Sequence, residues 1–588
     1  MRQMYCAQVR ATHINQSLRL TGWVIHHRDH GGVLFIDLWD HTGFVQVVVN
    51  PDSPIFDVAQ GLKRESVIAI KGDVRARPEG TVNNDLATGD IEVVVAELVV
   101  LNPSAVPPFS RDEAARVNEE TRYAYRYLDL RSERMQHNLR FRSKLNHILR
   151  AFLDQQDFIE IETPILTKAT PEGARDYVVP SRVHPGKCFA LPQSPQTFKQ
   201  LLMIAAVDKY YQVARCFRDE DLRSDRQPEF TQLDIEMAFV DEKEVMAVAE
   251  SLVKHLFDQL LNIQFEQFPV HDYDDLLAST GSDRPDLRNP LRLVDIKNWV
   301  KDCDFQVFRD PARDDQSRVV GLNVPGGCSL TRSMIDDYTK FVGRYGARGL
   351  AYIKVNDVSA GIEGLQSPII KFLGDEVALG VVKALGSQSG DLIFFGAGDT
   401  STVNNAMSSL RDKLGVDLNL LEGEWSCFWV TNFPMFEKVD DQNGSRLQSM
   451  HHPFTQPKKD GPTPQQWHSR SYDMVINGHE VGGGSIRIHQ YDQQIEIFKL
   501  LGIDEQESLE QFPHLLKALT LGAPPHGGLA FGIDRLVMIM LGASSIRDTI
   551  AFPKTQSASC PLTNAPAALN AAAQVELGIQ FTTEEEES

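Results

Sequence analysis

Along residues 210–240, YYQVARCFRDEDLRSDRQPEFTQLDIEMAFV, apolar and polar positions predict a strand, a charged loop and a second strand. In the second strand Leu233, Ile235, Met237 and Phe239 share one face, and Gln232, Asp234 and Glu236 share the other. A polar face on a central strand implies a polar ligand cleft, the alternative being a half-exposed hairpin. Residues 1–105 fall into five short runs, LRLTGWVI, VLFIDLWD, FVQVVV, SVIAIKGDVRA and IEVVVAELVVL, which predict a small Greek-key barrel. Leu34, Ile36, Leu38, Val45, Val47 and Val49 alternate inward, leaving Phe35 outside with Trp39, and Gln46 outside on the next strand. The Pro- and charge-rich stretch NPSAVPPFSRDEAARVNEE then reads as a hinge. A helical pattern follows, with Leu139, Leu145, Ile148 and Phe152 on one side, and it leads into DFIEIETPIL at 157–166.

Composition narrows the picture. A chain of 588 residues exceeds one core, and 42% hydrophobic with 24% charged residues describes an ordinary soluble globular protein. A formal charge of -21 argues against broad adhesion to nucleic acid, so any RNA contact must be local. A barrel of this size is the OB type, and its outward Phe35 beside Gln46, with Arg28, Arg64, Arg75 and Arg77 nearby in sequence, suits stacking on and reading an unpaired base. His26, His27 and His30 lack a carboxylate or cysteine at ligand spacing and are not read as a metal site. The seven cysteines form no CxxC pair, which suggests reduced thiols. The N-terminus MRQMYCAQVR has no apolar signal core and no run of about 18 apolar residues occurs, so the expected location is cytoplasmic, with no membrane partner.

Further motifs lie downstream. Residues 286–424, with GRYGARGLAYIKVN, SPIIKFLGDEVALGVVKALG and GDLIFFGAG, read as an α+β unit. After it come Met450, His451, His452, Pro453 and Phe454, then YDMVINGHEVGGGSIR at 472–487 and GGLAFGIDR at 527–535 ahead of LVMIML. The spaced glycines permit a tight strand-to-helix junction, which places Arg535 in the first helical turn, where it can meet an anion. Residues 584–587 form an acidic tail expected to be disordered.

In this order, DFIEIETPIL, the 210–240 stretch and GGLAFGIDR resemble motifs 1, 2 and 3 of the class II aminoacyl-tRNA synthetases. Across nearly the whole chain the text is similar to the bacterial-type aspartyl-tRNA synthetases. That resemblance implies a multidomain α+β fold: an N-terminal OB-fold barrel for the anticodon at 1–105, a hinge at 106–138, an antiparallel-sheet catalytic domain at 139–285 and 425–560, an inserted α+β domain at 286–424, and a C-terminal extension at 561–588. It also implies a homodimer formed through motif 1.

The reaction it implies begins with attack of an amino-acid carboxylate on the α-phosphorus of ATP. That nucleophile is already an anion, so positive charge and positioning matter more than a general base. By resemblance Arg218 is the motif 2 arginine on the α-phosphate and Arg535 the motif 3 arginine on the γ-phosphate. Asp219, Glu220, Gln227, Glu480, Gly532, Ile533 and Asp534 would complete the ATP site, and Asp473 with Glu480 would hold Mg²⁺. For L-aspartate, Lys199 and Arg487 would meet the side-chain carboxylate, Glu172 and Asp234 the ammonium, with Gln196, Arg218, His451 and His452 closing the pocket. Arg28, Phe35 and Gln46 match the anticodon-contacting positions. The pair His30 and Gly80 resembles the non-discriminating form, which charges tRNA(Asn) as well as tRNA(Asp) and hands Asp-tRNA(Asn) to an amidotransferase. The alternatives are a strictly discriminating aspartyl enzyme, an asparaginyl enzyme, whose neutral amide would not call for Lys199, and a non-catalytic tRNA-binding paralogue, which would have lost Arg218, Arg535 or the carboxylates.

Overall fold

Alternation closes the N-terminal strands on themselves. β1 (Ser17–His30), β2 (Val33–Asp40), β3 (Gly43–Val49), β4 (Val67–Ala76) and β5 (Ile91–Asn102) form a closed barrel in the order β1-β2-β3-β5-β4, β3 and β5 being parallel. Leu34, Ile36, Leu38, Val45, Val47 and Val49 fill it with no exposed surface. In this computed structural model residues 2–169, 173–223, 225–441 and 444–581 are described. Their contacts divide into Met1–His137 with Cys560–Ala565, and Asn138–Ser559 with Pro566–Ser588. The acidic tail lies outside the described residues.

One outward position differs from expectation. Trp39 is buried against Trp23, ring centroids 5.6 Å apart, beneath the Arg111 guanidinium. Alternation chose its face correctly, but the connector folds back over it. That connector also carries short helices, Glu119–Ala124 and Arg126–Asp129, the second holding a buried Arg126–Asp129 ion pair.

The second unit is organised by an eight-stranded sheet. In chain order the strands are β6 (Ile159–Glu160), a separate hairpin of β7 (Val178–Pro180) and β8 (Cys188–Ala190), β9 (Lys209–Phe217), β10 (Glu229–Ala238) and β11 (Val270–Asp272). Next comes the inserted set, β12 (Leu293–Asp295), β13 (Ser317–Val324), β14 (Ala351–Val355), β15 (Leu365–Gln366) and β16 (Asp391–Asp399). The chain ends with β17 (Cys427–Thr431), the hairpin β18 (Phe436–Asp441) and β19 (Gly444–Ser449), then β20 (Ser471–Ile476), β21 (His479–Ile486) and β22 (His526–Gly532). The large sheet runs β11-β17-β20-β21-β22-β10-β9-β6, antiparallel except at its two edge pairs. β10 lies inside it, between β22 and β9.

Leu233, Ile235 and Met237 face a core shared with the helices Glu133–Asp154, Glu242–Leu261 and Ile533–Met540. Phe239 does not join them. It is 70% exposed with φ of 60°, because the strand ends at Ala238 and the chain turns through the left-handed region toward the next helix cap. On the motif 1 helix the core side is Leu145, Leu149 and Leu153, with Ile148 and Phe152 only flanking and Leu139 outside the cluster. Polar anchors set that rotation: Asn138 donates to the Asp548 carbonyl at 3.0 Å and Arg142 bonds Asp534.

The inserted strands form a sheet of order β12-β13-β16-β14-β15 with both faces covered. Leu392 and Phe394 pack into one apolar cluster, while Ile393 and Phe395 pack into another. Among the described residues no helix is long and apolar enough to cross a membrane, and the cysteines are free.

Candidate active site

The polar face of β10 opens onto a cavity of about 440 Å³ lined by Ser194, Gln196, Lys199, Arg218, Asp234, His451, His452, Asp473, Glu480 and Arg487, among others. Asp234 and Glu236 have no exposed surface, and neither carboxylate could be ionised there without cations beside it. Lys199, on the helix Gln196–Ile204, donates to Asp234 Oδ1 at 3.0 Å and lies 3.6 Å from Glu236 Oε2. Arg487 grips Glu236 through Nε at 2.9 Å and Nη2 at 3.1 Å. Its Nη1 also donates to Ser485 Oγ at 2.9 Å and to His452 Nε2 at 2.6 Å.

Close approach makes this network possible. A Cβ on Gly528 would sit 2.2 Å from Glu236 Oε2, and one on Gly483 would sit 2.5 Å from Asp473 Oδ1. Gly528 of motif 3 and Gly483 of β21 therefore admit carboxylates, while Gly532 at the strand-to-helix junction has an ordinary φ of -73°.

Electrostatics separate the acids. Burial raises the Asp234 carboxyl despite Lys199, and its Oδ2 is buried without a hydrogen-bond partner. Burial opposes ionisation of Glu236 too, yet the charges of Arg487 and Lys199 hold it below the usual range. Burial, reinforced by Arg487, pushes His452 well below an ordinary histidine, which leaves it a neutral acceptor for that arginine. His451 goes the other way: burial lowers it, but Asp473, 3.5 Å distant, raises it on balance. Glu480 is raised by burial and then by Asp473.

A second cavity of about 230 Å³ shares Arg218, Gln232, Glu480 and Ala530 with the first. Arg218 stacks its guanidinium on Phe230 at 5.1 Å, with Nε buried and unbonded. Arg535 donates to the Glu480 carbonyl at 2.6 Å and meets Asp225 at 3.4 Å. Glu220 pairs with Arg226 at 2.8 Å, and the Asp219 amide bonds the Arg175 carbonyl at 3.1 Å.

Some expected ATP-site residues are engaged elsewhere. Gln227 lines the second cavity and exchanges hydrogen bonds with the Lys554 backbone, at 3.1 and 2.8 Å, which brace the charged loop. Asp534 bonds Arg142 and accepts from the Thr231 amide at 2.8 Å, tying the motif 3 helix to β10 and motif 1. The Ile533 side chain is in the core, so only its backbone is available to a nucleotide. Gly532 lines the cavity. Glu172 lies outside the described residues.

Other members were not singled out from sequence. Glu236 was signalled, since it shares the polar face of Asp234. Gln200 and His526, which bond each other at 3.1 Å behind the cleft, carried no comparable signal. Nor did Asp283 and Arg284, which reach the two cavities from a loop far away in sequence.

On the barrel's outer face, Arg28 Nη2 donates to both Asp37 oxygens at 3.0 Å, and His26 joins the same carboxylate at 3.1 Å. Gln46 and Arg75 share buried Glu92, at 2.9 and 2.8 Å, another residue missed in sequence. Arg77 donates to the Ile91 carbonyl at 3.0 Å. Phe35 faces Arg28 across the β1–β2 pair and meets His30 edge-on, 6.0 Å between centroids. Arg64 is not with this group, because it occupies the turn whose next residue bonds Val24 at 2.7 Å. Gly80 is exposed, with φ of 83° and open space where a Cβ would sit.

The sheet, the paired cavities and the barrel are those of a class II synthetase. Residues 118–556 match the family described as tRNA synthetases class II (D, K and N), and residues 18–101 match the OB-fold nucleic acid binding domain. The chain belongs to this class II family. Within it, the chain is 53% identical over 588 residues, 99% of each sequence, to the Aspartate--tRNA(Asp/Asn) ligase of Legionella pneumophila subsp. pneumophila strain Philadelphia 1. The same figures hold for the ligase of that name from strain Paris. Among solved structures, Pyrococcus horikoshii asparaginyl-tRNA synthetase complexed with asparaginyl-adenylate superposes with a TM-score of 0.59 at 19% identity, covering 94% of this chain and 98% of that one. A putative aspartyl-tRNA synthetase from Leishmania major Friedlin gives 0.58 at 21% identity, covering 94% of each.

Proposed function

We propose that this protein is an aspartate–tRNA ligase that activates L-aspartate with ATP and charges both tRNA(Asp) and tRNA(Asn). The observation that carries the amino-acid assignment is the charge layout of the first cavity. Two buried cations, Lys199 and Arg487, line it together with an unbonded carboxylate oxygen of Asp234. A side-chain carboxylate suits the cations and an ammonium suits that oxygen. A neutral amide substrate would not use the charge of Lys199, which would then serve only Asp234 and Glu236.

Activation needs little acid–base chemistry. The substrate α-carboxylate, placed beside Arg218, attacks the α-phosphorus, and pyrophosphate leaves toward Arg535. His452 stays neutral and keeps Arg487 oriented. Asp473 and Glu480 fit a hard divalent cation: Asp473 Oδ1 is buried without a hydrogen bond, 3.5 Å from His451 Nε2, and burial followed by the charge of Asp473 raises the Glu480 carboxyl. They would hold Mg²⁺, whose charge, when bound, offsets that of the phosphate oxygens.

Pyrophosphate exchange into ATP tests the activation step. It should depend on aspartate and Mg²⁺ and need no tRNA, and faster exchange with asparagine or lysine would overturn the pocket assignment. For the tRNA, His30 beside Phe35 can offer a donor or an acceptor by changing tautomer, and Gly80 adds no side chain that would exclude either third anticodon base. The two tRNAs should be charged with kcat/KM values within about tenfold, or 1.4 kcal/mol, and a preference on the order of a thousandfold for tRNA(Asp) would end that reading. Asp-tRNA(Asn) would then pass to an amidotransferase in the cytoplasm. A homodimer is supported by apolar Ile159, Ile165 and Leu166, exposed on the segment after the motif 1 helix, and sedimentation would detect it.

A further inference from the structure

Residues 281–289 join the first half of the catalytic sheet to the inserted sheet. Two of their side chains reach the paired cavities, Asp283 into the first and Arg284 into the second. The loop is fixed from both ends. Behind it, the helix Tyr273–Thr280 stops at left-handed Gly281, φ 74°; the Ser282 amide bonds Thr280 Oγ1 at 3.3 Å and the Arg284 amide bonds Ser282 Oγ at 3.1 Å. Ahead of it, Arg411 of the inserted helix Thr400–Asp417, 1% exposed, donates to the carbonyls of Asp286 at 2.9 Å and Asn289 at 2.6 Å. From β13, Arg318 donates to the Leu277 carbonyl at 3.1 Å and to Asn404 Oδ1 at 2.7 Å. The backbone that carries Arg284 is thus held by the catalytic and inserted elements together.

The guanidinium at the end of this mount is 45% exposed and lies 4.0 Å from Glu480 Oε2. Of the other arginines in the second cavity, Arg226 and Arg535 have closer polar partners, Glu220 for the first and the Glu480 carbonyl with Asp225 for the second, while Arg218 lies over the Phe230 ring. Among the described residues the Arg284 guanidinium has one ion-pair contact, a long one, to the carboxylate that would turn to a divalent cation, and its charge would then face the polyphosphate.

We propose that Arg284 binds the pyrophosphate end of ATP during activation, a role that rests on the adenylation reading above. As the α-carboxylate oxygen bonds to the α-phosphorus, the bond to the bridging oxygen breaks and its electron pair leaves with pyrophosphate. Arg284 donates to the oxygens on which that charge collects.

Pyrophosphate exchange by the full-length protein, with ATP and aspartate varied separately, tests this. Arg284→Ala should lower kcat/KM for ATP by about 100-fold, leave the aspartate KM within about twofold and keep the thermal midpoint, and Arg284→Lys should recover most of the loss. Unchanged exchange in Arg284→Ala, a loss confined to transfer onto tRNA, or a Lys variant as impaired as Ala would each overturn the role. Arg218→Ala separates the two readings. If wild type exchanges and Arg218→Ala does not while Arg284→Ala does, the adenylation reading stands and this inference falls. Absence of aspartate-dependent exchange in wild type would bring down both.

Discussion

The catalytic cleft and the outer face of the barrel both set cations beside buried carboxylates, and they hold them in opposite ways. In the cleft Lys199 and Arg487 are 2% exposed, and the carboxylates facing them, Asp234 and Glu236, have no surface in water. On the barrel Arg28 and Arg75 are 48% and 47% exposed, and only their acids, Asp37 and Glu92, are buried. Desolvating an ion costs several kcal/mol, so each cleft cation depends on the whole network. The barrel cations keep most of their hydration, and there the buried acid aims a side chain. On the proposed function, the cleft would choose by charge, and the barrel face would present groups that can still adjust to a base.

Removing one cleft acid should have the largest effect. Glu236→Ala would leave Arg487 buried without its main partner, and destabilisation of about 3 to 5 kcal/mol in urea unfolding is expected, with exchange abolished. A loss under about 1 kcal/mol would mean that the cleft is wetter than its geometry indicates, and the contrast with the barrel would fail.

Arg218→Ala should be kinetic instead. At least about 3 kcal/mol of transition-state stabilisation should disappear from exchange with the fold intact, as for other preorganised charge contacts. Lys199→Leu sharpens the same point, since aspartate kinetics should suffer while ATP binding stays nearly constant.

On the barrel, Glu92→Gln should weaken the aim of Arg75 and Gln46. Charging would show a tRNA KM raised by the equivalent of about 1 to 2 kcal/mol with tRNA-independent exchange unchanged. Altered exchange would show that this acid does more than orient its neighbours.

The smallest effect concerns pH. Burial first, then Arg487 for His452, and burial for His526, lower both pKa values below the ordinary 6.5. The unfolded chain then takes up protons that the folded one refuses. The stability these groups contribute is complete above pH 6.5 and is lost as pH falls below it, toward the folded values. Thermal midpoints should decline from pH 7.5 to 5.5, and His452→Gln should flatten that decline whatever its absolute stability; an unchanged slope would exonerate His452.

Sequence alone determined the barrel, because period-two burial of Leu34, Ile36, Leu38 and the valines of β3 is a local consequence of strand geometry. It also determined the polar face of β10, and the resemblance to the family's motifs marked Lys199, Arg218, Arg487 and Arg535 as candidate cations. Tertiary structure decided which groups those cations meet. Glu236 became the partner of Arg487 only because β10, β21 and β22 lie side by side with glycines at the contact. It also gave Gln227 and Asp534, which line the second cavity, partners in Lys554 and Arg142, hundreds of residues away along the chain. Arg284 reached the second cavity by the same means, on a loop anchored by Arg318 and Arg411. Pairing across such separations leaves no periodic trace, because side-chain hydrogen bonds are specified by three-dimensional proximity and not by spacing along the chain.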